Sequence, residues 1–284
     1  MRIGAAMFFT DYSMSPAALA QALEARGFDS LWAPEHSHIP LARASAFPAG
    51  GELPRQYCEV MDPFVALTAA AVSTRQLLVG TGVCLVPQRD PIQTAKLVAS
   101  LDQVSGGRFL FGVGDGWNAD EMANHGTDFT RRHKVTRERI EAMQAIWTQD
   151  TAEYHGEFVN FGPMQAWPKP VQRPHPPVIV GGAFPYGARR AVRYGQGWMP
   201  HRKRPAYPDV ADSLPEFRAM VSAAGRAESE VPVTIWGAPS EMALLSRDRD
   251  LGVIRMVVSL PSAPAEAILP ELDRWAEQIA RLGG

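Results

Sequence analysis

Titratable side chains follow a short apolar run near the start of the chain. In SLWAPEHSHIP, residues 30–40, the run is followed by Glu35, His36 and His38. Titratable clusters at the ends of buried strands are where α/β enzymes carry out their chemistry. An imidazole at such a position shuttles protons near neutral pH or hydrogen-bonds a cofactor ring, so we interpret His36 as a candidate general acid or base. A purely structural hydrogen bond is the alternative for either histidine.

Glycine-rich turns follow three further apolar runs. They are GTGV at 80–83, GVGDGW at 112–117 and VGGA at 180–183. The second turn suits a planar ring and hydroxyl groups, with Trp117 as a stacking wall or as part of the core. Two glycines between a strand and a helix expose backbone N–H groups where phosphate binds, so Gly181 and Gly182 predict a phosphate site. Arg189 and Arg190, in the helix that follows, could add positive charge to this site, but they are expected on the exposed face of the helix.

The apolar runs alternate with helical patterns along the chain. They cover residues 2–8, 28–33, 77–84, 108–113, 178–181, 197–200, 232–237 and 253–259. Each run is continuous rather than alternating, which indicates parallel strands covered on both faces. Eight strand–helix units predict an α/β fold, a (β/α)8 TIM barrel formed by residues 1–284 as a single domain. An open doubly wound sheet is the alternative.

Capping residues indicate where the predicted helices begin. Ser15, Asp62 and Asp90 each precede a proline, the pairing typical of an N-cap and the first helical position. Thr130 is predicted to cap a long helix over 131–148. Further helices are expected at 185–194, 209–224, 239–246 and 264–282.

Three connections are longer than a compact barrel needs and predict insertions after strands 2, 4 and 6. They cover residues 38–61, 149–177 and 201–208. The first is rich in proline and glycine, and we interpret it either as a substrate lid or as a loop packed on itself. The second contains EYHGEFVNF, which predicts a hairpin that turns at Gly156.

Composition narrows the possible classes of function. The chain of 284 residues is 46% hydrophobic with a formal net charge of -2, so no basic surface indicates a nucleic-acid partner. No apolar stretch reaches the length of a membrane span, and no membrane partner is expected. Cys58 and Cys84 lack the spacing of a metal or redox site, and we expect a cytoplasmic protein in a reducing environment.

Three segments carry a resemblance to a known family. They are GFDSLWAPEH, VGTGVCLVPQRDPIQTAKLVASLDQVSGGRFLFGVGDGWNADE and PKPVQRPHPPVIVGGA. Together they resemble the bacterial luciferase-like monooxygenase superfamily of flavin and deazaflavin oxidoreductases, densely over residues 1–200 and more weakly over 200–284. The resemblance implies the same barrel, with coenzyme F420 or FMN bound at the mouth formed by the C-terminal ends of the strands.

The resemblance also implies roles for individual residues. Glu35 and His36 would lie beside the reactive ring as the catalytic pair. The ring would lie against a cis peptide at Gly82–Val83, and the cofactor-binding residues would be Gly82, Val83, Asp115, Gly116, Trp117, Gly181, Gly182 and Ala183. No metal ligand is implied. The sugar-phosphate dehydrogenases of the family carry a catalytic Glu where Trp117 stands, so that activity is not expected.

These observations favour an F420-dependent oxidoreductase that transfers hydride to or from a small hydrophobic organic substrate. The turn VGDGW and the short chain favour F420, and the alternative is an FMN-dependent luciferase-like monooxygenase supplied with reduced flavin by a separate reductase. Two other classes stay open: a metal-dependent barrel hydrolase, indicated by His36 and His38 in an HxH pattern, and a flavin-binding protein without catalysis. A flavin or F420 reductase and a second copy of the chain in a homodimer are the expected protein partners.

Overall fold

Parallel strands form the centre of the fold, which a computed structural model describes for residues 1–202 and 209–283. The strands are β1 Arg2–Ala6, β2 Ser30–Ala33, β3 Leu78–Thr81, β4 Cys84–Leu85, β5 Phe109–Gly114, β6 Ala152–His155, β7 Asn160–Met164, β8 Val178–Gly181, β9 Trp198–Met199, β10 Thr234–Trp236 and β11 Arg255–Ser259. Each of the eight predicted apolar runs contains a strand. The short β4 pairs with β5, and β6 and β7 form a separate antiparallel hairpin.

The remaining strands lie side by side in one parallel sheet, in the order β10-β11-β1-β2-β3-β5-β8-β9. Bridges from Trp198 to Val233 and from His201 to Trp236 bring the two edges of this sheet together. The sheet is therefore a nearly closed barrel, which confirms the predicted (β/α)8 TIM barrel. The open doubly wound alternative is wrong. Because the strands are parallel, their carboxyl ends meet at one mouth.

Helices lie between and after the barrel strands, and most of them cover the outside of the barrel. They are α1 Pro16–Ala25, α2 Gln56–Glu59, α3 Pro63–Val72, α4 Pro91–Ser105, α5 Ala119–Asn124, α6 Arg132–Thr148, α7 Tyr186–Tyr194, α8 Val210–Ala223, α9 Met242–Asp250 and α10 Ala265–Arg281. The side chains of Ser15, Asp62 and Asp90 accept backbone N–H groups and cap α1, α3 and α4, as predicted. Across residues 1–202 and 209–283, no helix combines the length and the apolar character that crossing a membrane requires.

The predicted cap of the long helix is wrong. The carboxylate of Asp128 accepts the backbone N–H of Thr130 at 2.8 Å and starts a short 3-10 turn. Helix α6 then begins at Arg132 without a side-chain cap. A carboxylate two residues upstream makes a charge-assisted hydrogen bond, which is stronger than the bond that a hydroxyl group offers.

Two apolar layers stabilise the barrel. Inside it, the fully buried Trp32 belongs to a cluster with Leu110, Met199 and Val257. Outside it, the apolar sides of the helices pack against the opposite faces of the strands, where Trp147 of α6 is buried. Both faces of the strands therefore exclude water, which explains why the strand sequences are continuously apolar.

The predicted insertions differ in structure. Residues 38–61, which we call the β2 loop, are mostly irregular and contain α2. Residues 149–177 contain the predicted hairpin, which Glu138 of α6 holds by accepting the N–H of Phe158 at 2.7 Å. Most of the third insertion, 201–208, lies outside the described residues.

Close packing between β3 and β5 predicts a large effect of one methyl group. A Cβ atom at Gly112 would lie 2.0 Å from the carbonyl oxygen of Thr81. Gly112→Ala should lower the free energy of unfolding by about 1–3 kcal/mol or more, because the two strands must move apart. Gly162→Ala in the hairpin is the matched control, since nothing lies within 4 Å of its Cβ position. Urea unfolding checks both variants, and equal losses of stability would contradict this packing.

Candidate functional site

A cavity of about 360 Å³ opens where the carboxyl ends of the barrel strands meet. This volume lies within the range of cofactor and ligand pockets. All ten predicted site residues line the cavity, and they are Glu35, His36, Gly82, Val83, Asp115, Gly116, Trp117, Gly181, Gly182 and Ala183. The wall also contains residues for which the sequence indicated no role, and they include Phe8, Tyr57, Arg132, His133, Met199 and Trp236.

His36 and Glu121 form a buried hydrogen-bonded pair in this wall. The Nδ1 atom of His36 lies 2.7 Å from the Oε2 atom of Glu121, and the two side chains are 6% and 0% exposed. The other carboxylate oxygen accepts the backbone N–H of Ser37 at 3.1 Å. Because a carboxylate only accepts hydrogen bonds, Nδ1 donates and Nε2 is the basic nitrogen of the neutral ring.

Sequence reasoning found His36 but missed its partner. Glu121 lies in the first turn of α5, and its N–H donates to the side chain of the capping residue Asn118 at 3.3 Å. Asn-x-x-Glu is the spacing of a local helix cap, so this acidic residue gave no signal of a buried role. Only the packing of α5 against the end of β2 brings Glu121 to His36.

Both carboxylate oxygens of Glu35 are bound by the protein. One accepts the N–H of Leu85 at 2.7 Å, and the other pairs with Arg89, which also reaches Asp62 at 2.6 Å. These contacts fix β4 against the end of β2. They support a positioning role for Glu35 and leave His36 as the better placed group for proton transfer. The catalytic role of Glu35 stays a prediction.

A charged cluster forms another part of the cavity wall. The Oδ2 atom of Asp115 lies 3.1 Å from a terminal nitrogen of Arg190 and 3.0 Å from Nδ1 of His133. Burial raises the pKa of Asp115, but the hydrogen bond from His133 and the charge of Arg190 outweigh it, so this pKa lies below its ordinary value. Asp115 is therefore ionised at neutral pH and holds Arg190 in place.

The backbone beside this cluster suits a phosphate group. Gly182 has a φ of 136°, and a Cβ atom there would lie 2.9 Å from Arg190 and 3.2 Å from the Cα of Gly187. The Nε atoms of Arg132 and Arg190 are buried and have no hydrogen-bond partner among the described residues. Buried arginine N–H groups next to glycine backbone just before α7 fit an anion. We call Gly181, Gly182, Ala183, Arg132 and Arg190 the anion cradle.

The two arginines at the start of α7 have different environments. Arg189 is exposed, as predicted. The same prediction for Arg190 is wrong, because its side chain is only 19% exposed and pairs with Asp115. Successive residues on a helix face directions about 100° apart, and the sequence did not show which of the two faces the mouth.

Strand β3 ends in a flat apolar surface. The peptide Gly82–Val83 is cis, as the resemblance implied. The ring of Trp236 lies over Gly82, where a Cβ atom would come within 2.5 Å of the indole. Val83 packs against Gly181, and Val83, Trp236 and Met199 all line the cavity. This surface fits one face of a planar ring.

The HxH histidines have separate partners. His38 lies 2.9 Å from the hydroxyl group of Ser37 and 2.8 Å from the side-chain amide of Asn124, whereas His36 pairs with Glu121. Within the described part of the chain, no group of three or more His, Cys, Asp or Glu residues is placed to hold a metal ion. Neither histidine therefore has the surroundings of the metal site that the HxH pattern had suggested.

Comparison with known proteins identifies the family. Residues 15–240 match the luciferase-like monooxygenases, and the chain belongs to this family of oxidoreductases and monooxygenases. This confirms the resemblance drawn from the three sequence segments.

Relatives extend the comparison over the whole chain. The uncharacterized protein Rv0953c of Mycobacterium tuberculosis is 39% identical over 290 residues, which cover 99% of each chain. An F420-dependent hydroxymycolic acid dehydrogenase of the same organism is 31% identical over 216 residues, 74% of this chain and 54% of the relative. An FMNH2-dependent dimethylsulfone monooxygenase of Pseudomonas putida is 29% identical over 166 residues, 57% of this chain and 45% of the relative. The chain is therefore similar both to an F420-dependent and to an FMNH2-dependent enzyme.

Solved structures share the fold. The monooxygenase RslO1 from Streptomyces bottropensis superposes with a TM-score of 0.79 at 21% identity and covers 100% of both chains. An F420-dependent secondary alcohol dehydrogenase in complex with an F420–acetone adduct superposes with a TM-score of 0.74 at 16% identity and covers 98% of each chain. At these identities the similarity shows the barrel fold alone.

The contacts of Asp115 predict a change in pH dependence. Its folded-state pKa lies below its unfolded value, so the ionised group contributes stability at neutral pH that is lost as the pH falls through the folded value. Arg190→Gln removes a stabilising charge, so the pKa of Asp115 should rise, and the loss of stability should become smaller and be complete at a higher pH. Urea unfolding between about pH 7 and pH 3 measures this shift. Arg189→Gln is the control, and identical pH profiles for the two variants would contradict the ion pair.

Proposed function

We propose that the chain is an F420-dependent oxidoreductase that transfers hydride to or from a small hydrophobic organic substrate. One observation carries the proposal: His36, which is hydrogen-bonded to the buried Glu121, lines the same cavity as the anion cradle. A carbonyl and an alcohol interconvert by transfer of one hydride and one proton. A cavity that pairs a phosphate site with a proton-moving side chain suits that chemistry.

The residues present fit a phosphorylated planar cofactor. The backbone of Gly181, Gly182 and Ala183, with Arg132 and Arg190, would hold the phosphate, because the buried Nε atoms of the two arginines have no partner among the described residues and an anion would supply one. Val83, Trp236 and Met199 would face the ring. When bound, F420 supplies hydride acceptor and donor chemistry.

His36 is the proposed general acid and base. Glu121 holds its Nδ1 atom, so Nε2 is the nitrogen that gives a proton to, or takes one from, the oxygen atom of the substrate. The carboxylate also stabilises the imidazolium ion that forms when Nε2 takes a proton. Burial of both side chains strengthens this interaction and prevents exchange with bulk water.

The alternative is an FMN-dependent monooxygenase that receives reduced flavin from a separate reductase. The FMNH2-dependent relative supports it, and the anion cradle fits either phosphate. The longer match to the F420-dependent relative and the VGDGW turn favour F420. A reductase partner, the homodimer and the cytoplasmic location stay predictions.

Equilibrium binding of the two cofactors tests the proposal. Purified protein is titrated separately with F420 and with FMN, and binding is followed by the fluorescence of each cofactor. We expect F420 to bind at least about tenfold more tightly, a difference of about 1.4 kcal/mol. Tighter binding of FMN would replace the proposal with the monooxygenase alternative, and binding of neither would contradict both.

Arg190→Gln should weaken binding of F420 by about tenfold or more, because a buried hydrogen bond to a charged group is worth about 1.5–3 kcal/mol. This variant avoids the backbone collision that a side chain at Gly182 would cause. Arg189→Gln, one residue away on the exposed face, should bind F420 like the wild-type protein. Fluorescence titration measures the F420 affinity of the wild-type protein and of both variants. Equal affinities would contradict the assignment of Arg190 to the anion cradle.

His36→Ala should lower turnover by about 100-fold to 10,000-fold while F420 affinity changes little, since the missing group moves a proton. Glu121→Gln should lower turnover less, because glutamine still accepts the Nδ1–H group but brings no charge. The absorbance change of F420 in single turnovers, with a substrate found by screening ketones and alcohols, gives the rates. If His36→Ala instead loses affinity and keeps its turnover per bound cofactor, His36 is a cofactor ligand.

A further inference from the structure

We propose that the substrate is an uncharged, flat hydrophobic molecule, which Tyr57 contacts directly and Phe47 selects by positioning the rings around it. The proposal rests on the proposed function, because it assigns the substrate-binding part of the same cavity. Three features carry it: aromatic rings beside His36, a polar latch on the β2 loop, and the restriction of the cavity-lining arginines to the anion cradle.

Aromatic rings surround His36. Its ring centroid lies 5.1 Å from that of Tyr57 and 5.7 Å from that of Trp117. The ring centroids of Phe8 and Tyr57 lie 4.5 Å apart. The side chains of Phe8, His36, Tyr57 and Trp117 all line the cavity. We call Phe8, His36, Tyr57 and Trp117 the aromatic subsite. Offset and edge-on contacts with such rings favour planar apolar groups.

Phe47 determines the spacing of this subsite from behind. The centroid of its ring lies 5.3 Å from that of Tyr57 and 5.9 Å from that of Trp117, and the interplanar angles are 75° and 65°. It therefore packs edge-on against two rings that come from different parts of the chain. Trp117 follows β5, whereas Phe47 and Tyr57 both belong to the β2 loop.

A polar latch holds the β2 loop in this position. The carboxylate of Asp120 accepts the N–H of Ala44 at 3.0 Å and both the N–H and the hydroxyl group of Ser45 at 3.1 Å. The Ser45 hydroxyl oxygen in turn accepts the N–H of Ala119 at 2.9 Å. Ala119 and Asp120 begin α5, the helix that also provides Glu121. One helical turn therefore orients His36 and anchors the loop that carries Phe47.

The charged groups near the aromatic subsite leave no cation in its wall. Glu121 is bound by His36 and the Ser37 N–H. Arg43 lies 5.5 Å from the centroid of the Trp117 ring and donates to the neutral carbonyl of Ser45, but it is not among the residues that line the cavity. Among the residues that the structure describes, the arginines that line the cavity are Arg132 and Arg190, and both belong to the anion cradle. A carboxylate or phosphate on the substrate would lose its water here without gaining a cationic partner, which disfavours charged substrates.

Binding of a matched pair of probes tests the inference. The protein loaded with F420 is titrated in a calorimeter with 2-acetylnaphthalene and with its anionic analogue 6-acetyl-2-naphthoate. We expect the neutral ketone to bind at least about tenfold more tightly than the carboxylate. Equal or tighter binding of the carboxylate, or no binding of the ketone, would overturn the proposal.

Three variants of the β2 loop test which of its side chains determine binding of the ketone. Phe47→Ala should weaken binding of 2-acetylnaphthalene by about threefold to tenfold, the worth of one aromatic contact, and Tyr57→Ala should do the same. Leu41→Ala is the matched control, because Leu41 is fully exposed in the same loop. If all three variants bind the ketone like the wild-type protein, the assignment of Phe47 and Tyr57 is wrong.

The F420 affinity of each variant is measured in the same samples. Wild-type affinity shows that the variant is folded. Ser45→Ala, which weakens the latch without touching an aromatic ring, should reproduce part of the Phe47→Ala effect and replaces that variant if it does not fold. Failure of the wild-type protein to bind F420 contradicts the proposed function, whereas loss of discrimination between the two probes contradicts only the substrate class.

Discussion

The burial of Glu121 is the constraint on which the site depends. A carboxylate that is 0% exposed must find its hydrogen bonds within the protein. Glu121 finds them at the Nδ1–H group of His36 and the N–H of Ser37, so the end of β2 and the first turn of α5 must meet. The same helical turn binds the β2 loop through Asp120. The first turn of α5 therefore both orients His36 and holds the β2 loop against the cavity.

The cavity divides its charges between two regions. Beside Gly182, Arg132 and Arg190 present buried donors without protein partners, and the single carboxylate of Asp115 leaves the region cationic. Beside His36, the surface is aromatic and Glu121 is bound within the protein. This division fits the proposed ligand, which is anionic at one end and flat at the other, together with an uncharged molecule next to His36. The barrel makes the arrangement possible because its parallel strands all end at one mouth.

Local patterns in the sequence predicted the strands and most helix starts: continuous apolar runs, and capping residues before proline. The ten site residues, all of which line the cavity, came from residues at strand ends together with the family resemblance. The sequence did not predict Glu121 or the environment of Arg190, because both depend on which way a helix faces after packing. Thr130 failed as a cap because both its N–H and its hydroxyl group donate to Asp128, which holds the side chain toward that residue. Tyr57 and Phe47 lie in a loop without periodicity, so nothing in the sequence placed them beside His36.

We infer that Glu121 fixes the tautomer of His36, so that Nε2 is the nitrogen that faces the proposed substrate. Nitrogen-15 NMR of histidine-labelled protein loaded with cofactor measures this directly, with the His36→Gln variant used to assign the signal. We predict that Nδ1 of His36 carries a proton that is protected from solvent exchange. A ring protonated at Nε2 alone would contradict this prediction, because Nδ1 could then not donate to Glu121.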